Sequence, residues 1–170
     1  RHLADYKSIY DRVKICLNKN NRNPNDLPGA KDRRLTDQLL IDYTNSGDQT
    51  HYLEELYFQF GRYLLISSSR TKNVPANLQG LWAPQLWSPW RGNYTVNINL
   101  EEHYWPAFVA NMAEMAEPLD GFIAGLAANG KFTAKNYYNI GEGWCSSHNS
   151  DIWAMTISRS EERFSRNAET

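Results

Sequence analysis

The sequence predicts an all-α protein made of helical hairpins joined by long loops. Apolar residues recur at steps of three and four in successive windows, the period of a helix with one buried face. Proline, glycine and polar clusters punctuate those windows where helices start and stop. The longest stretch without helical spacing, residues 71–94, is dense in aromatics and prolines, the composition of an ordered irregular loop.

The elements follow in chain order. Leu3, Tyr6, Ile9, Tyr10, Val13 and Leu17 predict an amphipathic helix over 2–19. Residues 18–34, rich in Asn, Pro, Gly and charge, read as a long loop. Leu35, Leu39, Leu40 and Tyr43 accompany a short helix over 36–44. A longer helix over 51–69 has a broad apolar face of Leu53, Leu56, Tyr57, Phe60, Tyr63 and Leu64, with Gly61 allowing a close neighbour. Glu54 and Glu55 in its first turns read as a solvated pair that complements the helix dipole. Arg62 and Arg70 read as structural side chains that snorkel or bind a carboxylate. A Gln79-Gly80 turn in the following loop would let backbone approach a ligand. From Leu100 a helix carries Tyr104, Phe108, Met112, Met115 and Ala116 on one side, with Pro106 in its first turns. Pro118 opens the next helix near its N1 position, and Gly130 is placed to close it.

The stretch 82–106 carries the chemistry. Trp82, Trp87, Trp90 and Trp105, four of the six tryptophans, fall within it. From Thr95 to Leu100 polar and apolar residues alternate strictly, which predicts extended backbone with Asn97 and Asn99 on one side. In a helix those amides would point about 200° apart. Indole faces stack on the C–H faces of sugar rings, and amides donate to and accept from hydroxyls or a water. A structural reading stands beside this one: Asn99 as a helix N-cap with Glu102 completing a capping box. His148 and Asp151 form a weak pattern for a metal, because no third ligand is suitably spaced. No metal and no cofactor is therefore expected.

Composition excludes some classes. With 18 basic and 19 acidic side chains the net charge is −1, and no basic stripe suggests a nucleic-acid partner. No apolar run is long enough to span a membrane. Cys16 and Cys145 are too few to define a disulfide framework.

Several runs resemble glycoside hydrolase family 95, chiefly α-L-fucosidases with some α-L-galactosidases. They are residues 55–70, 75–82 (PANLQGLW), 94–99 with 104–107, and 143–144 followed by 147–153 (SHNSDIW). The resemblance implies that 1–156 is the N-terminal part of an (α/α)6 toroidal catalytic domain, and that 157–170 is a polar tail outside the family pattern. It implies an inverting α-L-fucosidase acting on terminal, 1,2-linked L-fucose of a glycan. Asn97 and Asn99 would position the attacking water. Trp82, Trp90, Thr95, His148 and Asn149 would bind substrate, with Thr95 tuning fucose against L-galactose. The general acid and base would lie outside this chain, which alone would then be inactive. The alternatives are an α-L-galactosidase, or a non-catalytic carbohydrate-binding or self-associating half-barrel. Relatives of that family are often secreted or periplasmic; the sequence itself states no compartment.

Overall fold

The computed structural model describes residues 1–17, 34–46 and 51–157. The expected loop over 18–34, Arg34 apart, and the expected tail over 157–170, Ile157 apart, lie outside the described residues. Helices dominate, as the spacing predicts. They fall in two compact units, Arg1–Ile66 and Ser67–Thr170.

The first unit holds α1 (His2–Tyr10), α2 (Thr36–Ser46) and α3 (Tyr52–Ser68), the last two residues of α3 opening the second unit. Helix α1 is half as long as its apolar spacing predicts. The chain leaves the helix where side chains of α3 claim its carbonyls. Arg62 Nη1 donates to Tyr10 O at 2.8 Å and Nη2 to Ile9 O at 3.2 Å, while Gln59 Nε2 donates to Val13 O at 3.2 Å. Leu17 N then donates to Glu55 Oε1 at 2.8 Å.

Helix α3 corrects the sequence reading in a second way. Its inward face is Glu55, Gln59, Arg62 and Ile66, with Glu55 0% and Arg62 2% exposed. Tyr57 is 80% and Phe60 51% exposed. Glu55 is thus no solvated dipole partner; only Glu54 is, bonded to His51 Nδ1 at 2.8 Å. Arg62 is not at the surface either. The buried polar groups stay inside because free main-chain donors and acceptors wait for them there. Burial lowers the Arg62 pKa from its ordinary value. Gly61, expected to admit a close neighbour, has nothing within 4 Å of the Cβ it lacks.

The second unit contains strand β1 (Tyr94–Thr95), helix α4 (Ile98–Val109), helix α5 (Glu117–Tyr138) and strand β2 (Asn149–Ser150), with short 3₁₀ turns at Pro89–Gly92 and Ala113–Ala116. Leu100, Tyr104 and Ala107 form the buried face of α4. Tyr104 Oη accepts from Ala76 N at 2.7 Å and bonds Ser69 Oγ at 3.1 Å, which ties the loop 69–76 to the helix. Phe108, expected on that face, is 69% exposed. The reason is the left-handed Asn111, φ 55°, which folds the chain back so that Met112 N reaches Ala107 O at 2.7 Å. Ala110, Met112 and Met115 then fill the space. Pro106 lies in the third turn of α4 rather than the first two, and its carbonyl still accepts from Ala110 N at 2.9 Å.

Pro118 opens α5 as expected. Gly130 does not close it: the helix runs on to a left-handed Asn139, φ 53°. Gly130 is needed for a different contact. A Cβ there would lie 2.6 Å from Cys145 O and 3.1 Å from the Trp144 ring. Cys145 N donates to Gly130 O at 3.3 Å, and Thr133 Oγ1 bonds Thr156 Oγ1 at 2.7 Å. The segment 144–156 therefore lies along α5. From there it brings β2 to β1.

Candidate functional site

The strict alternation from Thr95 to Leu100 does not give a long strand. Only Tyr94 and Thr95 are paired, antiparallel, with Ser150 and Asn149 respectively. Val96 N closes the ladder on His148 O at 2.8 Å. Asn97 is then the N-cap of α4 and Asn99 lies in its first turn. Glu101 N bonds Asn97 O at 3.2 Å, so the helix starts before the alternation ends. Leu100 is buried while Ile98 is 46% exposed, so the aliphatics do not share one face. The cap is two residues earlier than Asn99, and the Asn97 side chain makes no capping hydrogen bond. Both amides are exposed at the helix N-terminus, where backbone N–H groups and the dipole favour an oxygen-rich ligand.

The pairing of β1 with β2 joins two motifs that lie 50 residues apart. Thr95 faces Asn149 across the ladder, and the His148 carbonyl holds the residue before Asn97. The His148 side chain is exposed; Asn149 is half-buried. Asn99 and Thr95 line a narrow hollow with Asn77, Leu78, Tyr94, Leu100 and His103. It has no room for a water-sized sphere. It seats side chains rather than a sugar ring.

The indoles stand elsewhere. Neither Trp82 nor Trp90 lines this hollow. Trp82 closes on the Gln79-Gly80 turn. Gly80 has φ +71°, and a Cβ there would sit 2.7 Å from the Trp82 ring. The close approach at that glycine is therefore made by an indole of the same chain. Trp90, 75% exposed, begins a left-handed run with Arg91 and Gly92, at φ 58°, 55° and 65°. Such φ values cost about 1–3 kcal/mol each at non-glycine residues and tend to gather at functional loops.

The carboxylates near the asparagines are Glu101 and Glu102, both exposed on α4. Asp151 is committed to its own turn, its Oδ1 accepting from Trp153 N at 3.0 Å and Met155 N at 3.3 Å. Among the described residues no three His, Cys, Asp or Glu side chains gather as a metal set. None of the described helices is long and apolar enough to cross a membrane.

Sequence reasoning passed over His103 and the amide of Asn77. The signal was available, because His103 follows Asn99 by four residues and shares its helix face. Burial lowers the His103 pKa from its ordinary value, against the opposing effects of a hydrogen bond to the Ala76 backbone and of nearby Glu102.

The described residues form a mostly helical domain with two exposed amides at the start of α4 and several exposed indoles on its loops. Comparison gives the family. The model of the glycosyl hydrolase family 95 catalytic domain matches residues 1–168, and the chain belongs to that family. It is 40% identical over 156 residues to "Alpha-L-fucosidase 2" of Arabidopsis thaliana, covering 92% of this chain and 18% of that protein. It is 38% identical over 144 residues to "Probable alpha-fucosidase A" of Aspergillus niger, covering 84% of this chain and 17% of that protein. The protein of the same name from Aspergillus oryzae is 32% identical over 159 residues, covering 91% and 20%. The chain thus spans about a fifth of the length of these curated relatives.

Proposed function

We propose that this chain supplies the water-positioning part of an inverting α-L-fucosidase site that removes terminal, 1,2-linked L-fucose from a glycan. The supporting observation is the pairing of β1 with β2, which sets the Asn97–Asn99 turn beside His148 and Asn149 in a family 95 chain. Membership of the family and the names of its curated relatives support the sugar class.

Inversion needs a carboxylic acid to protonate the leaving oxygen and a carboxylate to activate water on the opposite ring face, about 6.5–9.5 Å apart. An amide oxygen is too weak a base to replace that carboxylate, but it can orient the water. In this reading the Asn97 and Asn99 carbonyls accept the water's protons and direct its lone pair at the anomeric carbon. Both catalytic carboxylates come from other parts of a longer polypeptide. Trp82 and Trp90 stack on the glycan, and His148 and Asn149 bond its hydroxyls. Thr95 sets fucose against L-galactose, which differ by one hydroxyl at C6. A site that bonds that hydroxyl discriminates far more strongly than an apolar one.

The test uses a full-length family enzyme carrying residues 1–156, with a 2′-fucosylated oligosaccharide as substrate. The first-formed fucose, followed by NMR, is expected in the inverted anomeric form. Retention would reject the mechanism. A full-length enzyme inert towards fucosides yet active on L-galactosides would reject the substrate. The 170-residue chain alone is expected to be inert towards both.

A further inference from the structure

Around the turn into α4 five side chains carry sealed polar atoms that make no hydrogen bond: Oδ1 of Asn77, Asn93 and Asn149, Oε1 of Gln79 and Nδ1 of His103. Buried groups of this kind are rare and ask for a partner. Two of them, on Asn77 and His103, line the same hollow as Asn99.

The chemistry of these atoms is settled by their surroundings. The His103 ring donates to the Ala76 backbone, an interaction that favours its protonated form, while burial opposes protonation more strongly. A neutral imidazole that donates from one nitrogen has a bare acceptor at the other. Nδ1 is therefore an acceptor, as is Asn77 Oδ1. No water-sized sphere fits in the hollow that their side chains line. A donor must then come from a side chain already lining the space. Leu78 and Leu100 have none to give, and Thr95, which also lines the space, carries a single hydroxyl donor for two acceptors. Tyr94 Oη is spent on Pro75 O at 2.9 Å. Asn99 carries two N–H donors on one atom, and lies one helical turn before His103 on the same face.

We propose that His103, assisted by Asn77, is a positioning residue that fixes which way the Asn99 amide points. The Asn99 Nδ2 group turns down onto Nδ1 of His103 and Oδ1 of Asn77. Its Oδ1 is left facing outward as an acceptor. Without the two acceptors beneath it the amide could present either end. Its catalytic meaning rests on the reading under Proposed function, because an outward oxygen is the end that can hold a water by its proton. The orientation itself does not depend on that reading.

The experiment uses the full 170-residue chain labelled with ¹⁵N. NMR is expected to show His103 as the Nε2–H tautomer, with scalar coupling across the hydrogen bond between its Nδ1 and Asn99 Nδ2. In His103→Phe the Asn99 side-chain amide should exchange with solvent about tenfold faster or more. His103→Asn, which can offer a carbonyl acceptor, should restore protection. A proton on Nδ1, or absence of the coupling in the unaltered chain, overturns the proposal whether or not the variants fold. So does an Asn99 amide indifferent to His103→Phe. Coupling present together with a full-length enzyme that does not act on fucosides would reject the function and leave the positioning role standing.

Discussion

Helices α3 and α5 solve the same problem in opposite ways. Helix α5 buries Phe122, Leu126 and Ala134 and gives up a side chain at Gly130 so that a loop can lie against it. Helix α3 buries Glu55, Gln59 and Arg62 and leaves Tyr57, Phe60 and Tyr63 exposed. Burying an ion costs several kcal/mol unless its hydrogen bonds are met. Here main chain at Ile9, Tyr10, Val13 and Leu17 meets most of them, while Arg62 Nε makes no hydrogen bond. The difference teaches that helical periodicity announces a helix, while the unmet backbone groups around it decide which face turns inward.

The largest effect that could break this contrast is at Arg62. Replacing it by Ala leaves at least two main-chain carbonyls without their donor and is expected to cost about 3 kcal/mol in urea unfolding. A loss under about 1 kcal/mol would mean that the inward polar face is not what holds the first unit. The two helical glycines sharpen the comparison next. Gly130→Ala should cost about 1–2 kcal/mol, because the new Cβ meets Cys145 O at 2.6 Å. Gly61→Ala meets nothing within 4 Å and should instead gain up to about 1 kcal/mol from helix propensity. Tyr104 and Tyr57 form a further pair. Tyr104→Phe, which strands Ala76 N, should cost about 1–2 kcal/mol, whereas Tyr57→Ser, at 80% exposure, should stay within about 0.5 kcal/mol.

The smallest effect is a pH dependence. Burial raises the pKa of both Tyr94 and Tyr104 above the ordinary 10.0. The unfolded phenols then ionise first. Stability should be fully present below pH 10 and should fall as pH rises beyond it, until the folded phenols ionise too. Tyr104→Phe should reduce that alkaline slope, read from unfolding midpoints across the range.

Much of this architecture was legible in the residues. The spacing of Leu39 and Tyr43 announced α2, Pro118 announced the start of α5, and the proline-rich stretch 71–94 announced a loop. Boundaries that depend on distant groups were not legible. Arg62 lies more than 50 residues from the carbonyls of Ile9 and Tyr10 that it caps. Gly130 looks like a terminator until Cys145 is laid against it. At the site, the asparagines, Thr95 and the His148–Asn149 run stood out by residue type and order. Their alternation suggested a strand, yet a helix begins at Ile98 because two paired residues are too few to hold the chain extended against a forming first turn. His103 escaped notice because its role is set by burial and by an unmet atom, and neither is written in a one-dimensional pattern.

The reading of the site is most directly tested by kinetics of a full-length family enzyme carrying this segment, with Asn97→Ala and Asn99→Ala made separately and Trp87→Ala as a control. Each asparagine substitution is expected to lower kcat on an aryl α-L-fucoside by about a hundredfold or more, as loss of a preorganised polar contact at the reacting centre does, with the tryptophan control nearly unchanged. Both alanine variants turning over at the parent rate would contradict the account.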